Sequence, residues 1–332
     1  FGTDAVRFAL ARMGAPGTDI ALSEELLDSY RAFATKIWNA ARLIFRHVDE
    51  TDRLPTLKEL KQSNLSLVDR WILSRLSRAI EGVNRSIEQY NLHEGARHIY
   101  SFFWHEFCDW YLEMIKLHPE QSKPTLLYVF ETALRLLHPF MPFITEELWQ
   151  NLPHHGESIV IAPYPEFDPE LLNERVETHA DLVQQIIVKV RNIRAEMNVD
   201  AKQTVTVRVA SADADLTKIL SDAREYIFKL AQVSHMEIVP QLSGDKLAAQ
   251  AVAGGLALEV PLAGLIDVEA ERVRLTKALE KVQSEIAKIE RTLSNANFVD
   301  RAPKEVVEEN RRRLAEYEDQ ATKLSEGLKR LG

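Results

Sequence analysis

Phe102-Phe-Trp-His-Glu-Phe-Cys-Asp-Trp-Tyr-Leu-Glu113 is the densest run of large aromatics in this 332-residue chain. Phe103, Phe107, Trp110, Tyr111 and Met114 recur at helical spacings, which places them on one stripe. Burying three such side chains contributes several kcal/mol at about 25 cal/mol per Å² of apolar area. The run is therefore expected to be core packing, with Trp110→Ala costing about 3 to 5 kcal/mol of stability. Glu106, Asp109 and Glu113 share a second face of the same helix, but no histidine accompanies them at a metal-binding spacing. Cys108, set among aromatics, is expected to be a small buried hydrophobe.

Working outward, apolar stripes predict a helix over about 67–90 (Trp71, Ile72, Leu76, Ile80, Val83, Ile87). Another spans 123–137 (Leu126, Val129, Phe130, Ala133, Leu134, Leu137), and a last one runs from Pro142 through Trp149. Short connections imply antiparallel neighbours, so residues 21–153 form a helical bundle with one core. Its first helix starts at the N-cap Ser23 and runs to about His47. At about 100° per residue, Leu26, Tyr30, Phe33, Ile37, Ala40, Ala41, Ile44 and Phe45 gather on one side. Arg31, Thr35, Asn39, Arg42 and Arg46 gather on the other, with Lys36 at the edge and Leu43 among them. Residues 29–46 hold four basic side chains and no acidic one, a local reversal in a chain of net charge -9. That face is either simply solvated or a surface for phosphates and base edges.

The overall acidity, with a pI near 5.7, excludes blanket binding to nucleic acid. One cysteine cannot build a disulfide framework or a multi-cysteine zinc site, and no apolar run approaches the roughly 20 residues that cross a bilayer. A cytoplasmic protein without a membrane segment is expected. The opening Phe1-Gly-Thr-Asp, without methionine, reads as an excerpt of something longer.

His154 opens a loop carrying Pro163, Pro165 and Pro169, read as a domain boundary. His154 and His155 have no further ligand at a suitable spacing, so no metal is expected. Residues 154–265 are read as a linker helix, with Lys189, Arg191 and Arg194 towards its end, and a small α+β connector. Strands are predicted at 204–209, 236–239 and 256–260, and no glycine-rich phosphate loop occurs. In 266–332, Leu275, Leu279, Val282, Ile286, Ile289 and Leu293 keep a heptad grid, matched by Val307, Leu314, Tyr317, Ala321, Leu324, Leu328 and Leu331. Asn295, Asn297 and Ala302-Pro303 can reverse the chain between them, giving an antiparallel coiled-coil hairpin about 40 Å long at 1.5 Å per residue. Arg311, Arg312 and Arg313 form its one dense basic spot. The fold class is thus mainly α: antiparallel bundle, small α+β connector, coiled-coil hairpin.

In this order the motifs resemble the C-terminal half of the bacterial valyl-tRNA synthetase family, class I aminoacyl-tRNA synthetases, over essentially the whole chain. Gly2-Thr-Asp-Ala-Val-Arg-Phe8 is similar to the family's stem segment, assigned here to residues 1–20. Ala15-Pro-Gly-Thr-Asp-Ile20 and Phe33-Ala-Thr-Lys-Ile-Trp-Asn-Ala-Ala-Arg42 resemble the entry to the anticodon-binding bundle. Asp69-Arg-Trp-Ile-Leu73, Glu106-Phe-Cys-Asp-Trp-Tyr-Leu-Glu113 and His138-Pro-Phe-Met-Pro-Phe-Ile-Thr-Glu-Glu-Leu-Trp149 are similar across the leucyl, isoleucyl and valyl branches. Phe298-Val-Asp-Arg-Ala-Pro-Lys-Glu-Val-Val307 between two heptad helices resembles the valyl tRNA-binding arm, and a single cysteine does not fit the isoleucyl zinc module.

The resemblance implies a tRNA-recognition fragment of a ligase that joins valine to its tRNA, working as a monomer. The nucleotide-binding motifs of the His-Ile-Gly-His and Lys-Met-Ser-Lys-Ser types do not occur here. ATP and magnesium are therefore expected to act outside this sequence, which holds no catalytic residue, no cofactor and no metal. Lys36 and Arg42 are implied to bond anticodon bases or phosphates of valine tRNA isoacceptors, supported by Arg31, Asn39 and Arg46. Leu43 stands where relatives often carry an aromatic, so only a weak apolar contact is implied. The arm, with Arg311 to Arg313, is implied to brace the outer corner of the tRNA. The alternative is a non-catalytic helical and coiled-coil scaffold that binds a protein partner or itself.

Overall fold

A computed structural model describes residues 1–14, 17, 22–49, 51–245, 247–265, 268–294 and 304–330. The expected chain reversal with Asn295, Asn297 and Ala302-Pro303 lies outside the described residues, as does most of Ala15 to Ile20. Two compact units emerge, Phe1–Leu182 and Val183–Gly332.

The first unit is helical. It contains α1 (Thr3–Met13), α2 (Glu24–Ile44), α3 (Leu57–Gln62), α4 (Leu67–Glu88), α5 (Leu92–Ser101), α6 (Pro119–Leu137) and α7 (Pro142–Trp149). Between α5 and α6 the aromatic run is a π-helix, Phe102–Tyr111, continuous with one turn at Leu112–Met114. Its i→i+5 bonding widens each turn. Positions four apart stay in register, so Phe103, Phe107 and Tyr111 are all fully buried. Trp110, three residues after Phe107, rotates off the stripe and is only half-buried. The expectation that Trp110 is a core anchor is therefore corrected, and the anchoring role passes to Phe107 and Tyr111. Phe107 lies against Phe130 of α6 with centroids 5.8 Å apart and planes at 10°.

Each motif residue has a packing role. Asp69, 1% exposed at the start of α4, accepts bonds from the hydroxyls of Ser66 (2.6 Å), Tyr111 (2.8 Å) and Ser122 (3.1 Å). One carboxylate thus ties three helical segments together, as a buried acid must be tied to be tolerated. The Trp149 indole donates to Glu131 at 2.8 Å, and Arg135 grips the same carboxylate. Asp4 of α1 accepts from the backbone of Phe143 and Ile144 in the first turn of α7, satisfying donors a helix start leaves open.

The proline loop does not separate from the bundle; it is strapped to it. Proline cannot donate, but its carbonyl accepts: Pro163 takes a bond from Arg135 and Pro165 one from Asn84. Lys61 reaches Asp168 at 2.5 Å and Glu170 at 2.6 Å. Glu177, in the first turns of α8 (Glu174–Glu196), accepts from Ser74, Arg75 and Arg78 of α4. The first unit consequently continues past residue 153 to Leu182. His154 bonds the Leu152 carbonyl at 2.8 Å and covers Trp149.

The second unit holds a four-stranded mixed sheet of order β2-β1-β4-β3. Its strands are β1 (Val205–Ala210), β2 (Val233–Val239), β3 (Ala248–Ala253) and β4 (Leu256–Pro261). β1 and β2 are parallel, linked through α9 (Ala214–Asp222) and α10 (Arg224–Ala231); β4 runs antiparallel to both β1 and β3. The sequence does not predict β3, because Ala-Ala-Gln-Ala-Val-Ala lacks strand propensity. It is held at the edge by a hairpin whose Gly254 and Gly255 have φ of 53° and 81°, the positive pair a tight primed turn demands.

The same unit ends in α11 (Val268–Leu293) and α12 (Lys304–Arg330). They lie antiparallel: Gly327 meets Leu275, while Arg313 lies near Glu285. Leu275, Val282, Ile289 and Val307 are buried, the first three one heptad apart. A Cβ at Gly327 would stand 3.3 Å from Leu275, so glycine permits the close approach there.

Candidate nucleic-acid interface

The orientation of α2 is fixed from its buried side. Phe33, Ile37, Ala41 and Ile44 are each 0% exposed, and the Phe33 ring sits 4.7 Å from Tyr100 and 5.1 Å from Phe8. Ser23 caps the helix by accepting from Leu26 N–H. With that side locked, Arg31, Asn39 and Arg42 stand exposed on the outer face, and Arg46 is exposed in the turn that follows the helix. Arg31 is paired with Asp28 at 3.0 Å, an exposed contact worth little. Among the described residues no carboxylate lies in salt-bridge range of Arg42 or Arg46. Their guanidinium groups keep their donors for another acceptor.

Two of the expected residues are only partly exposed, at the edges of that face. Leu43 is half-buried and lines a small apolar cleft with Leu112, Ile115 and Pro119. Lys36 is held at the seam between α2 and the π-helix. Its ammonium lies 2.5 Å from Asp109 Oδ1 and 4.0 Å above the Trp104 ring. Trp104 in turn stacks on Tyr100 at 5.5 Å and 20°. The spacing of Lys36 gives its place at the edge of the face, but not its partner 73 residues away.

Trp38 escapes the sequence reading, and it is 42% exposed. Seven residues from Arg31 and four from Arg42, it falls within about 40° of both on the helix wheel. An aromatic among arginines on an exposed face is the composition that stacks nucleobases. The angle alone carries that signal.

The carboxylates in and just after the π-helix are each matched to a different cation. Arg75 grips Glu106 through two bonds of 2.8 Å, Lys116 bonds Glu113 at 2.6 Å, and Lys36 bonds Asp109. They do not converge on a common point, so they offer no shared acid–base or metal site. Burial pushes the Cys108 thiol up to about 12, and Lys36 lowers it only in part. At neutral pH it is an unreactive thiol.

On α12 the basic spot is locally compensated. Arg311 lies 3.8 Å from Glu308, and Arg312 lies 2.7 Å from Glu309 and 3.7 Å from Glu316. Arg313 is bonded by Tyr317, which raises its pKa. Exposed i,i+3 pairs of this kind contribute little to the fold and can be exchanged for phosphates.

Comparison with known proteins matches residues 69–209 to the anticodon-binding domain of tRNA ligase and residues 267–332 to the valyl tRNA synthetase tRNA binding arm. The outer face of α2 lies before the first match. Among the most similar curated proteins, the valine–tRNA ligase of Thermotoga maritima is 40% identical over 100% of this chain and 38% of its own length. That of Pseudothermotoga lettingae is 42% identical over 99% of this chain and 37% of its own. The Geobacillus stearothermophilus ligase is 40% identical over 96% and 37%. The chain therefore spans well under half the length of these relatives. With both domains in sequence order and whole-chain identity at this level, the chain belongs to the valyl-tRNA synthetase family and carries its anticodon-binding domain and its tRNA-binding arm.

Proposed function

We propose that this chain selects valine tRNAs, reading the anticodon with the outer face of α2 and holding the tRNA body with the α11–α12 arm. The observation that carries the reading is the exposed set Arg31, Trp38, Asn39 and Arg42 on one helix face, with Arg46 exposed in the turn just past it. Of these, Arg42 and Arg46 meet no carboxylate among the described residues, in a chain of net charge -9. Guanidinium and amide groups can make paired bonds to base edges, and Trp38 adds a stacking surface. The arm has balanced charge, so it engages the tRNA by shape and by a few exchanged phosphate contacts.

Within the longer protein, this selection serves attachment of valine to tRNA. ATP and magnesium act there outside these 332 residues, which hold neither nucleotide-binding motif. No described helix is long and apolar enough to cross a membrane, in keeping with work in the cytoplasm. Leu275, Val282, Ile289 and Val307 are buried within the single chain, which favours a monomer over a self-associating scaffold.

Arg42→Ala is expected to weaken binding of a tRNA bearing a valine anticodon by about 1 kcal/mol or more, and to blunt rejection of anticodon variants. Filter binding or fluorescence titration measures both. Equal loss for every anticodon would remove Arg42 from base reading.

A further inference from the structure

Lys36 and Asp109 lie at the rim of the α2 face, on different helices, and are joined at 2.5 Å. The contact does not bury them: the lysine side chain is 25% exposed and the aspartate 43%. Both are also held from behind. The ammonium sits 4.0 Å over Trp104, whose ring is backed by Tyr100 at 5.5 Å and Phe33 at 6.1 Å. The second carboxylate oxygen of Asp109 faces His105 Nδ1 at 3.5 Å. The result is a fixed donor beside a fixed acceptor, at the rim of a face whose charged groups are mostly guanidinium donors.

We infer that Asp109 is a specificity-determining residue which, together with Lys36, reads the Watson–Crick edge of one anticodon base. A phosphate accepts bonds but cannot donate them, so a carboxylate on such a surface repels it. The donors a tRNA offers to a carboxylate are ribose 2′-hydroxyls, which are the same at every position, and base-edge N–H groups, which differ between bases; an acceptor held beside a fixed donor matches the second. This inference rests on the reading of α2 as the anticodon surface. Valine codons share guanine followed by uracil, so the two invariant anticodon bases are cytosine and adenine. Both set an exocyclic amine N–H beside an unprotonated ring nitrogen. Asp109 accepts from the amine while the Lys36 ammonium donates to the ring nitrogen. Guanine and uracil reverse that order, placing a carbonyl against the carboxylate and an N–H against the ammonium, so they are rejected.

The test uses the full 332-residue chain. Its probes are tRNA transcripts with a valine anticodon, or with adenine→guanine or cytosine→uracil at one invariant base. Asp109→Ala is expected to raise the Kd of the parent transcript about tenfold and leave the mismatched transcript within about twofold, so discrimination at one position collapses. Asp109→Asn keeps one acceptor oxygen and is expected to recover at least part of that discrimination, which a merely folded-state role would not produce. An unchanged parent-to-mismatch ratio in Asp109→Ala, with the ratio altered in Lys36→Ala, would overturn the assignment while leaving the α2 reading intact. Tighter binding of every transcript would also overturn it, since that is relief of phosphate repulsion alone. If Lys36→Ala, Arg42→Ala and Asp109→Ala all leave the ratio unchanged, the anticodon reading of α2 fails with it.

Discussion

The π-helix Phe102–Tyr111 and the outer face of α2 lie side by side, and their sequences invite the opposite assignment from the one their geometry supports. The π-helix has the richer chemistry: three carboxylates in and beside it, a thiol, a histidine and a dense set of large aromatics. Nearly all of it is committed internally. Glu106 serves Arg75, Tyr111 serves Asp69, Glu113 serves Lys116, and Cys108 is kept protonated by burial. The α2 face is chemically plainer, with arginines, an asparagine and a tryptophan, yet Arg42 and Arg46 meet no carboxylate among the described residues. What separates a packing element from a binding surface is unsatisfied hydrogen-bonding capacity on an exposed face, not the density of reactive groups.

The largest effect that could break this contrast is on stability. Phe107→Ala is expected to lower unfolding free energy by about 3 to 5 kcal/mol in urea titration, since a fully buried ring against Phe130 leaves a cavity. The folded fraction should still bind tRNA as before. A folded Phe107→Ala chain that no longer binds would give the aromatic stripe of the π-helix a contact role of its own, beyond that of Asp109 at its rim.

A smaller effect concerns the strap between α8 and α4. Burial raises the pKa of Glu177, but bonds from Ser74, Arg78 and Arg75 outweigh it and hold the carboxyl below its usual range. A depressed folded value means the stabilisation is complete above the ordinary glutamate value of 4.5 and is lost as pH falls through the lower folded value. Glu177→Gln is therefore expected to cost about 1 to 3 kcal/mol at pH 7, and the gap from wild type to close in acid. A gap independent of pH would show that shape, not charge, is what the strap uses.

The smallest effect places the arm between the two extremes, exposed like α2 yet charge-matched like the π-helix. Replacing Arg311, Arg312 and Arg313 with alanine is expected to weaken tRNA binding alike for every anticodon. The log–log salt slope should flatten by about 0.7 to 0.9 for each phosphate that is no longer neutralised. An unchanged slope would mean that the arm touches phosphates elsewhere on its surface.

Much of this is legible in the sequence. Helical periodicity locates the bundle, and the sign reversal over residues 29–46 marks the face. Three things depend on tertiary context. Trp110 leaves the core because the helix that carries it is a π-helix, whose wider turn no 3.6-residue template anticipates. β3 is built largely of alanines and exists because β4 offers it an edge. The proline loop looks like a boundary because prolines interrupt helices, but its carbonyls find donors on Arg135 and Asn84. At the site, helical spacing puts Lys36 correctly at the rim, while its partner Asp109 comes from a distant segment. Trp38 is easily missed because a tryptophan beside an apolar stripe is assumed to join it.

Whether the outer face of α2 reads the anticodon is decided by a double-mutant cycle. Wild-type and Arg42→Ala chains are titrated with a valine-anticodon tRNA and with the same tRNA changed at one invariant anticodon base. A coupling energy of about 1 kcal/mol or more is expected between the protein and tRNA changes at one position. Additive losses at both invariant positions would contradict that reading.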